Sequence, residues 1–444
     1  MSNECILVEQ SLNLKGEAKL VGAKNAVLVI MASLLLADGE SKLYNVPNSQ
    51  DVLNMIKLLE SLGAKVFFDS ENNFLQVDTF GVNKYHVSRD IMKEMRASFL
   101  VMGPLLARFG SADIALPGGC VIGSRPIDYH LKGFERMGVH VDVSGECIST
   151  RVGKLQANKI VLEYPSVGAT ENVMMAATLT QGVTRIINAA IEPEVLDLID
   201  ILRKMGANIA ILPAATIEIT GVSSLNPVEH NIVFDRLEAG ALLLAAAITG
   251  GEIYLPDAPA FAMDIFLMKL QEMGHKLEIG VNDIGIRLKA TSDPKAVSFK
   301  TGPYPGFPTD LQAPMMAAQC LADGTSVVCE TVFENRLLHV RELQKMGAQI
   351  KVDHDTAIIT GVEKLYGASV IATDIRASCA LVLAGFVAEG QTVMTGVHHF
   401  KRGYDSLDKK LQKLGASIIY KSGQDYDDIF NKININNNIK SLNS

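Results

Sequence analysis

The sequence predicts an α/β fold of repeated βα units, grouped as two domains of three units each. Three observations predict it. An amphipathic run, then Leu or Met, then Gly, then a β-type run occurs six times. Its glycines are Gly63, Gly138, Gly206, Gly274, Gly347 and Gly415, spaced 68 to 75 residues apart. A second marker, a very apolar stretch ending in Gly, falls at Gly39, Gly110, Gly182, Gly250, Gly324 and Gly390, each 23 to 28 residues ahead of its partner. Third, the 444 residues are 48% hydrophobic and only 20% charged, enough apolar material for large cores and too much for a disordered chain.

One unit shows the local logic. Met31–Glu40 is apolar nearly all round, so its helix is expected to be buried on every side. Leu53–Gly63 is apolar at helical spacing with Lys57, Glu60 and Ser61 outside, so it is expected to be a surface helix closed by a left-handed Gly63 cap. The runs starting at Lys65, His140, Asn208, Lys276 and Gln349 read as the strands that follow.

Composition excludes several classes. Lys+Arg is 41 against Asp+Glu 49, a net charge of −8, so no basic stripe for nucleic acid is expected. The longest apolar run, Ala26–Ala37, is shorter than the ~20 residues of a membrane span, and Met1–Leu14 has no signal-peptide pattern. Six cysteines at 5, 120, 147, 320, 329 and 379 form no CxxC, which fits reduced thiols and a cytoplasmic location.

The candidate chemistry sits just ahead of the buried helices, at 22–25, 96–98, 166–171, 235–238, 309–312 and 374–378. All six stretches are polar although the helices behind them are greasy. Asp, Ser and Thr there can be ordinary N-caps. Lys24, Arg96 and Arg376 cannot, because a cation at a helix N-terminus opposes the dipole; each needs a carboxylate partner or an anionic ligand. A second constellation, Leu116–His130, holds Gly118, Gly119 and Gly123 and reads as a loop. In it Cys120 lies five residues from Arg125, a context that favours thiolate. Cys320 and Cys379 lie on apolar helices and read as core residues. Two further clusters, Glu330–Val340 with Arg336 and His339, and His398–Tyr404, can each be read as solvated surface runs, the His pair especially. There is no HExxH, no GxGxxG and no Walker loop, so neither a metal nor a cofactor is expected.

These residues resemble a known family. GAKN at 22–25, RAS at 96–98, LPGGCxIGxRPxDxH at 116–130, SVGAT at 166–170, FPTD at 307–310, ETVFENR at 330–336, TDxRAS at 373–378 and RGY at 402–404 are similar to the UDP-N-acetylglucosamine 1-carboxyvinyltransferases among the enolpyruvyl transferases. The resemblance runs from residue 1 to about 420. It implies two inverse α/β barrel domains, each of three repeats around buried parallel helices, with the active site in the cleft between them. Residues 1–23 with 234–421 would form one domain, 24–233 the other with a Cys loop at 112–126, and 422–444 a disordered tail.

The resemblance also implies an activity: transfer of the enolpyruvyl group of phosphoenolpyruvate to the 3′-hydroxyl of UDP-N-acetylglucosamine, opening peptidoglycan synthesis. Phosphoenolpyruvate would contact Lys24, Asn25, Arg125 and Arg402, with Arg336 and Arg376 lining the same site. UDP-N-acetylglucosamine would contact Arg96, Arg125, Pro126, Ile127, Asp128, Tyr129, Tyr164, Ser166, Val167, Asp310 and Val332. Cys120 would be the proton donor, able to form an adduct with the enolpyruvyl group and to react with fosfomycin. Asp310 is the candidate base, and Lys24 and Arg402 complete the catalytic set. The chain departs from the family pattern at Gln50, where a Lys-bearing segment is usual, at Tyr164, where Lys is frequent nearby, and at Tyr129, where a smaller residue is common. A paralogue acting on another UDP-sugar or nucleotide, and a non-catalytic UDP-sugar-binding regulator, are the alternatives. No nucleic acid or membrane partner is expected, and the chain would be a monomer or a weak homo-oligomer.

Overall fold

The computed structural model describes residues 4–88, 90–91, 96–115 and 127–423, the side chains of 96–98 excepted. Cys120, Arg125, Pro126, the Arg96 side chain and the tail from 424 lie outside the described residues. The described residues form two compact units, one from the stretch 21–234, the other from 4–20 with 235–423. The chain passes from one to the other after Leu20 and after Phe234.

Six four-stranded sheets carry the repeat, three in each unit, all with one pairing pattern. In one, Lys159–Val161 runs parallel to Val183–Ile187, which pairs antiparallel with Thr216–Thr220, itself antiparallel to Asn208–Leu212. Three sheets are completed by strands remote in sequence, one of them by Lys15–Glu17, which runs parallel to Glu252–Pro259. Glu229–Asn231 runs parallel to Glu40–Tyr44. Glu4–Glu9 lies between Gln391–Thr395 and Ser417–Ser422, with Ile6 opposite Met394 and Tyr420. The first strand therefore belongs to the last repeat.

Six central helices fill the units: α1 (Lys24–Ser33), α2 (Met102–Phe109), α3 (Val167–Thr178), α4 (Arg236–Thr249), α5 (Gln312–Gln319) and α6 (Ile375–Val387). α4, α5 and α6 pack on one another, as α2 does on α3. Burial on all sides holds, but α1 starts earlier than the apolar run at Met31 suggests. It ends at Ser33, a 3-10 turn takes Leu34–Leu36, and Glu40 already opens a strand. A run that is apolar all round has no periodicity to mark where its helix stops. The outer helices do carry that signal. Gln50–Leu62 buries Val52, Met55, Leu58, Leu59 and Leu62 and is capped by Ser49, whose hydroxyl accepts from the Val52 N–H. All twelve marker glycines have φ between 65° and 121°. At Gly63 a Cβ would stand 2.6 Å from the Gly81 carbonyl oxygen, so both φ and space demand glycine.

The Cys loop is shorter at its start than 112–126. Ser111–Ala115 is a strand paired with Cys147–Arg151, and its Ala112 and Ile114 alternate inward. Cys320 and Cys379 are core residues, their thiols pushed by burial up to about 12 and about 11. No helix among the described residues is long and apolar enough to cross a membrane.

Buried His275 gives the fold a pH dependence. Burial pushes its imidazole down to about 4. The folded state therefore favours the neutral form, and stability is lost as pH falls from about 6.5 towards 4. Across that window His275 is expected to remove about 2–3 kcal/mol. A His275→Gln variant should show a flatter decline in urea midpoint between pH 7 and 5 than the wild type; an equal decline would contradict this.

Candidate active site

The unit built from 21–234 holds six of the predicted nucleotide-sugar residues among the described side chains: Ile127, Asp128, Tyr129, Tyr164, Ser166 and Val167; Asp310 and Val332 lie in the other unit. Asp128 and Tyr129 open the helix Asp128–Arg136, with Ile127 at its cap, while Ser166 caps α3 and accepts from the Ala169 N–H. These two helix starts are joined through Asn172, which is fully buried. Its Oδ1 accepts from the Gly103 N–H at 2.6 Å, its Nδ2 donates to the Phe99 carbonyl at 2.9 Å, and Nδ2 lies 3.2 Å from His130 Nδ1. His130 also stands edge-on to Phe99, 4.9 Å between centroids, and a Cβ on Gly168 would meet its ring at 3.1 Å. One amide thus ties the 3-10 helix that starts at Arg96, the 127–129 segment and the 166–167 segment. Asn172 was not singled out in the sequence; an Asn buried in an apolar helix is the signal that could have found it.

The departures are placed as follows. Tyr129 is half-buried, with the Lys132 ammonium 5.8 Å from its ring centre, and Lys132 pairs with Asp128 at 3.3 Å. Tyr164 is half-buried, and its carbonyl accepts from the Ser166 N–H. Gln50 is exposed and donates to Asn54.

Lys24, the first residue of α1, finds the anion its position requires. Its ammonium lies 3.0 Å from the Asp51 carboxylate, which is buried at the start of the helix Gln50–Leu62. Asn25 beside it is exposed.

The second unit holds a carboxylate clamped by two arginines. Asp310 sits in the 3-10 turn Thr309–Leu311 just ahead of α5. Its Oδ1 accepts from Arg336 at 2.7 Å and its Oδ2 from Arg376 at 2.8 Å. Both guanidiniums are buried, whereas the Asp310 side chain keeps 24% exposure. Burial alone would raise the carboxyl; the Arg376 and Arg336 charges outweigh it and hold Asp310 far below the usual carboxylate range. Arg376 is in the first turn of α6. Asp374 caps that helix, accepting from the N–H groups of Arg376 and Ala377, and the Arg376 guanidinium lies 5.3 Å from the Tyr404 ring centre.

Arg402 comes from the helix Val397–Gly403, which packs against the start of α6: a Cβ on Gly403 would stand 2.3 Å from Ile375 Cγ2. His398 is exposed, but His399 is half-buried, its imidazole pushed to about 4 by burial, by His398 and by Arg402 against the pull of Asp374. The Glu330–Val340 cluster is not a solvated run. Glu330, Arg336 and His339 are all buried, and Arg336 reaches the Asp310 carboxylate. Val332 is half-buried in that segment.

The sequence showed no Asp and His at ligand spacing, yet folding brings Asp197, Asp200 and His230 within 4.8 Å of one another. Lys204 already supplies a cation there, 3.1 Å from His230 Nδ1 and 2.7 Å from Asp200. The group braces the strand Glu229–Asn231 against the helix Pro193–Lys204, and Asp197 also accepts from the Val233 N–H.

Comparison with known proteins fits this geometry. The family model described as EPSP synthase (3-phosphoshikimate 1-carboxyvinyltransferase) matches residues 8–411. The chain belongs to the EPSP synthase family. It is therefore a transferase, and the two three-repeat units are the two inverse α/β barrels of that family. Among family members it is 48% identical to UDP-N-acetylglucosamine 1-carboxyvinyltransferase 1 of Caldanaerobacter subterraneus subsp. tengcongensis, over 94% of this chain and 99% of that one. It is 46% identical to UDP-N-acetylglucosamine 1-carboxyvinyltransferase of Geotalea uraniireducens, over 93% and 98%. Among solved structures, the enolpyruvyl transferase NikO from Streptomyces tendae matches with a TM-score of 0.86 at 22% identity, covering 95% of this chain and 99% of that one. EPSP synthase from Acinetobacter baumannii matches at 0.74 and 16%, covering 94% and 100%.

Proposed function

We propose that this EPSP synthase family member transfers the enolpyruvyl group of phosphoenolpyruvate to the 3′-hydroxyl of UDP-N-acetylglucosamine, releasing phosphate as the first committed step of peptidoglycan synthesis in the cytoplasm. The observation that carries the reading is the Asp310 carboxylate held ionised between Arg336 and Arg376, in a chain 48% identical to a carboxyvinyltransferase of that name.

Phosphoenolpyruvate carries a phosphate and a carboxylate, so it needs several fixed cations. Lys24, Arg125 and Arg402 take these groups with Asn25, and Arg336 and Arg376 line the same site. At about 1.5–3 kcal/mol per charge-assisted hydrogen bond, three cations give useful affinity after ordering costs, and one would not. Arg96, Arg125, Pro126, Ile127, Asp128, Tyr129, Tyr164, Ser166, Val167 and Val332 take the nucleotide sugar, with Asp310 at its 3′-hydroxyl.

The sugar oxygen attacks C2 of the enol while its proton passes to Asp310, and Cys120 protonates C3. Phosphate then leaves C2 as C3 gives up a proton, which restores the double bond. The cations stabilise the departing phosphate. Both Asp310 oxygens are engaged by guanidiniums, so the ion pair must open as the proton arrives. An incoming dianion that competes for Arg336 and Arg376 favours that opening.

Two measurements test the reading. Assayed across a panel of UDP-sugars, phosphate release should be fastest with UDP-N-acetylglucosamine; faster release with another sugar would mark a paralogue. Fosfomycin should inactivate the wild type, while Cys120→Asp should keep turnover and lose fosfomycin sensitivity. Inactivation that persists in Cys120→Ser would contradict the role given to that thiol.

A further inference from the structure

We infer that Glu330 is a positioning residue for Asp310, acting through the Thr309 hydroxyl and the backbone of the 332–333 turn. The inference rests on Asp310 being the proton acceptor. Glu330 is 2% exposed and follows the strand Thr325–Cys329. Its Oε1 accepts from two successive backbone N–H groups, Val332 at 2.9 Å and Phe333 at 3.1 Å. Its Oε2 accepts from Thr309 Oγ1 at 2.9 Å. One carboxylate therefore joins the turn that presents Asp310 to the segment that presents Val332 and Arg336.

The same segment is pinned from its other side. The Thr331 N–H donates to Thr301 Oγ1 at 2.9 Å, and the Thr331 hydroxyl donates to the Thr301 carbonyl at 2.7 Å. A buried carboxylate is costly unless its oxygens are fully used, and here all three bonds come from neutral donors. A residue that only filled space would not be charged.

The need for this link follows from the chemistry. The Asp310–Arg336 ion pair also joins the Asp310 turn to this segment. That contact must loosen when Asp310 takes a proton. Glu330 holds the two backbones in register while the pair opens, so the carboxylate stays aimed at the hydroxyl instead of swinging with its arginine.

The test compares Thr309→Val, which removes only the hydroxyl, with Thr309→Ser, which keeps it. Thr309→Val should lower kcat about tenfold with KM for phosphoenolpyruvate near wild type, and should lower the thermal midpoint because Glu330 Oε2 loses its donor; Thr309→Ser should recover most of both losses. Adding Thr309→Val to Glu330→Ala should cost nothing further, since both act through one link. Unchanged kcat in Thr309→Val, or a loss that Ser does not repair, would overturn the inference. Asp310→Asn measured alongside separates the two layers. Normal turnover there removes the base assignment and this inference with it, whereas an inactive Asp310→Asn beside an unchanged Thr309→Val removes the inference alone.

Discussion

Asp310→Asn is expected to lower kcat for phosphate release by about 10²–10⁴-fold, the usual contribution of a general base. The substitution keeps the size of the side chain and removes its charge and its ability to take the hydroxyl proton. It also leaves Arg336 and Arg376 buried without their anion, so the thermal midpoint should fall as well. Kinetics are therefore to be read at a temperature where circular dichroism shows the variant folded. Because the two guanidiniums hold the wild-type carboxyl far below its usual range, Asp310 should contribute no acid limb to the rate profile between pH 5 and 9. An Asp310→Asn enzyme within threefold of wild type would contradict the assignment.

Arg376→Met should be the most destabilising single change at the site. It breaks a buried ion pair and leaves Asp310 with one partner, a change that typically costs about 3–5 kcal/mol. The pH dependence has a definite sign. Asp310 is depressed in the folded state, so its stabilising contribution is complete above the ordinary carboxyl range near pH 4 and is lost as pH falls below it. Without Arg376 the folded carboxyl rises towards that range, and the contribution above pH 4 shrinks. Urea midpoints at pH 5 and pH 3 should therefore differ less, through this group, in Arg376→Met than in wild type. Equal stability of the two proteins at pH 7 would show that Tyr404 packing and the Asp374 cap, not the ion pair, hold Arg376.

The repeat was legible because its markers are glycines with a backbone reason. Gly63, Gly138 and their equivalents need positive φ after each outer helix, and no other residue type substitutes cheaply. Lys24 and Arg376 were legible as cations in need of anions, and each has one, in Asp51 and Asp310. Their partners were not legible, since Asp51 lies 27 residues from Lys24 and Asp310 lies 66 from Arg376. The same distance hid Asn172 with His130 and Asp197 with His230. Glu330 and His339 looked like surface charge because burial of a polar run depends on what packs over it, which a single sequence does not record. Helix limits within all-apolar runs, as at Ser33, were unreadable for want of periodicity.

The most direct test of the central claim is phosphate release from phosphoenolpyruvate, measured with and without UDP-N-acetylglucosamine. The account predicts release only when both substrates are present, matched by formation of the carboxyvinyl ether of the sugar nucleotide. No phosphate with both present, or equal release from phosphoenolpyruvate alone, would contradict it.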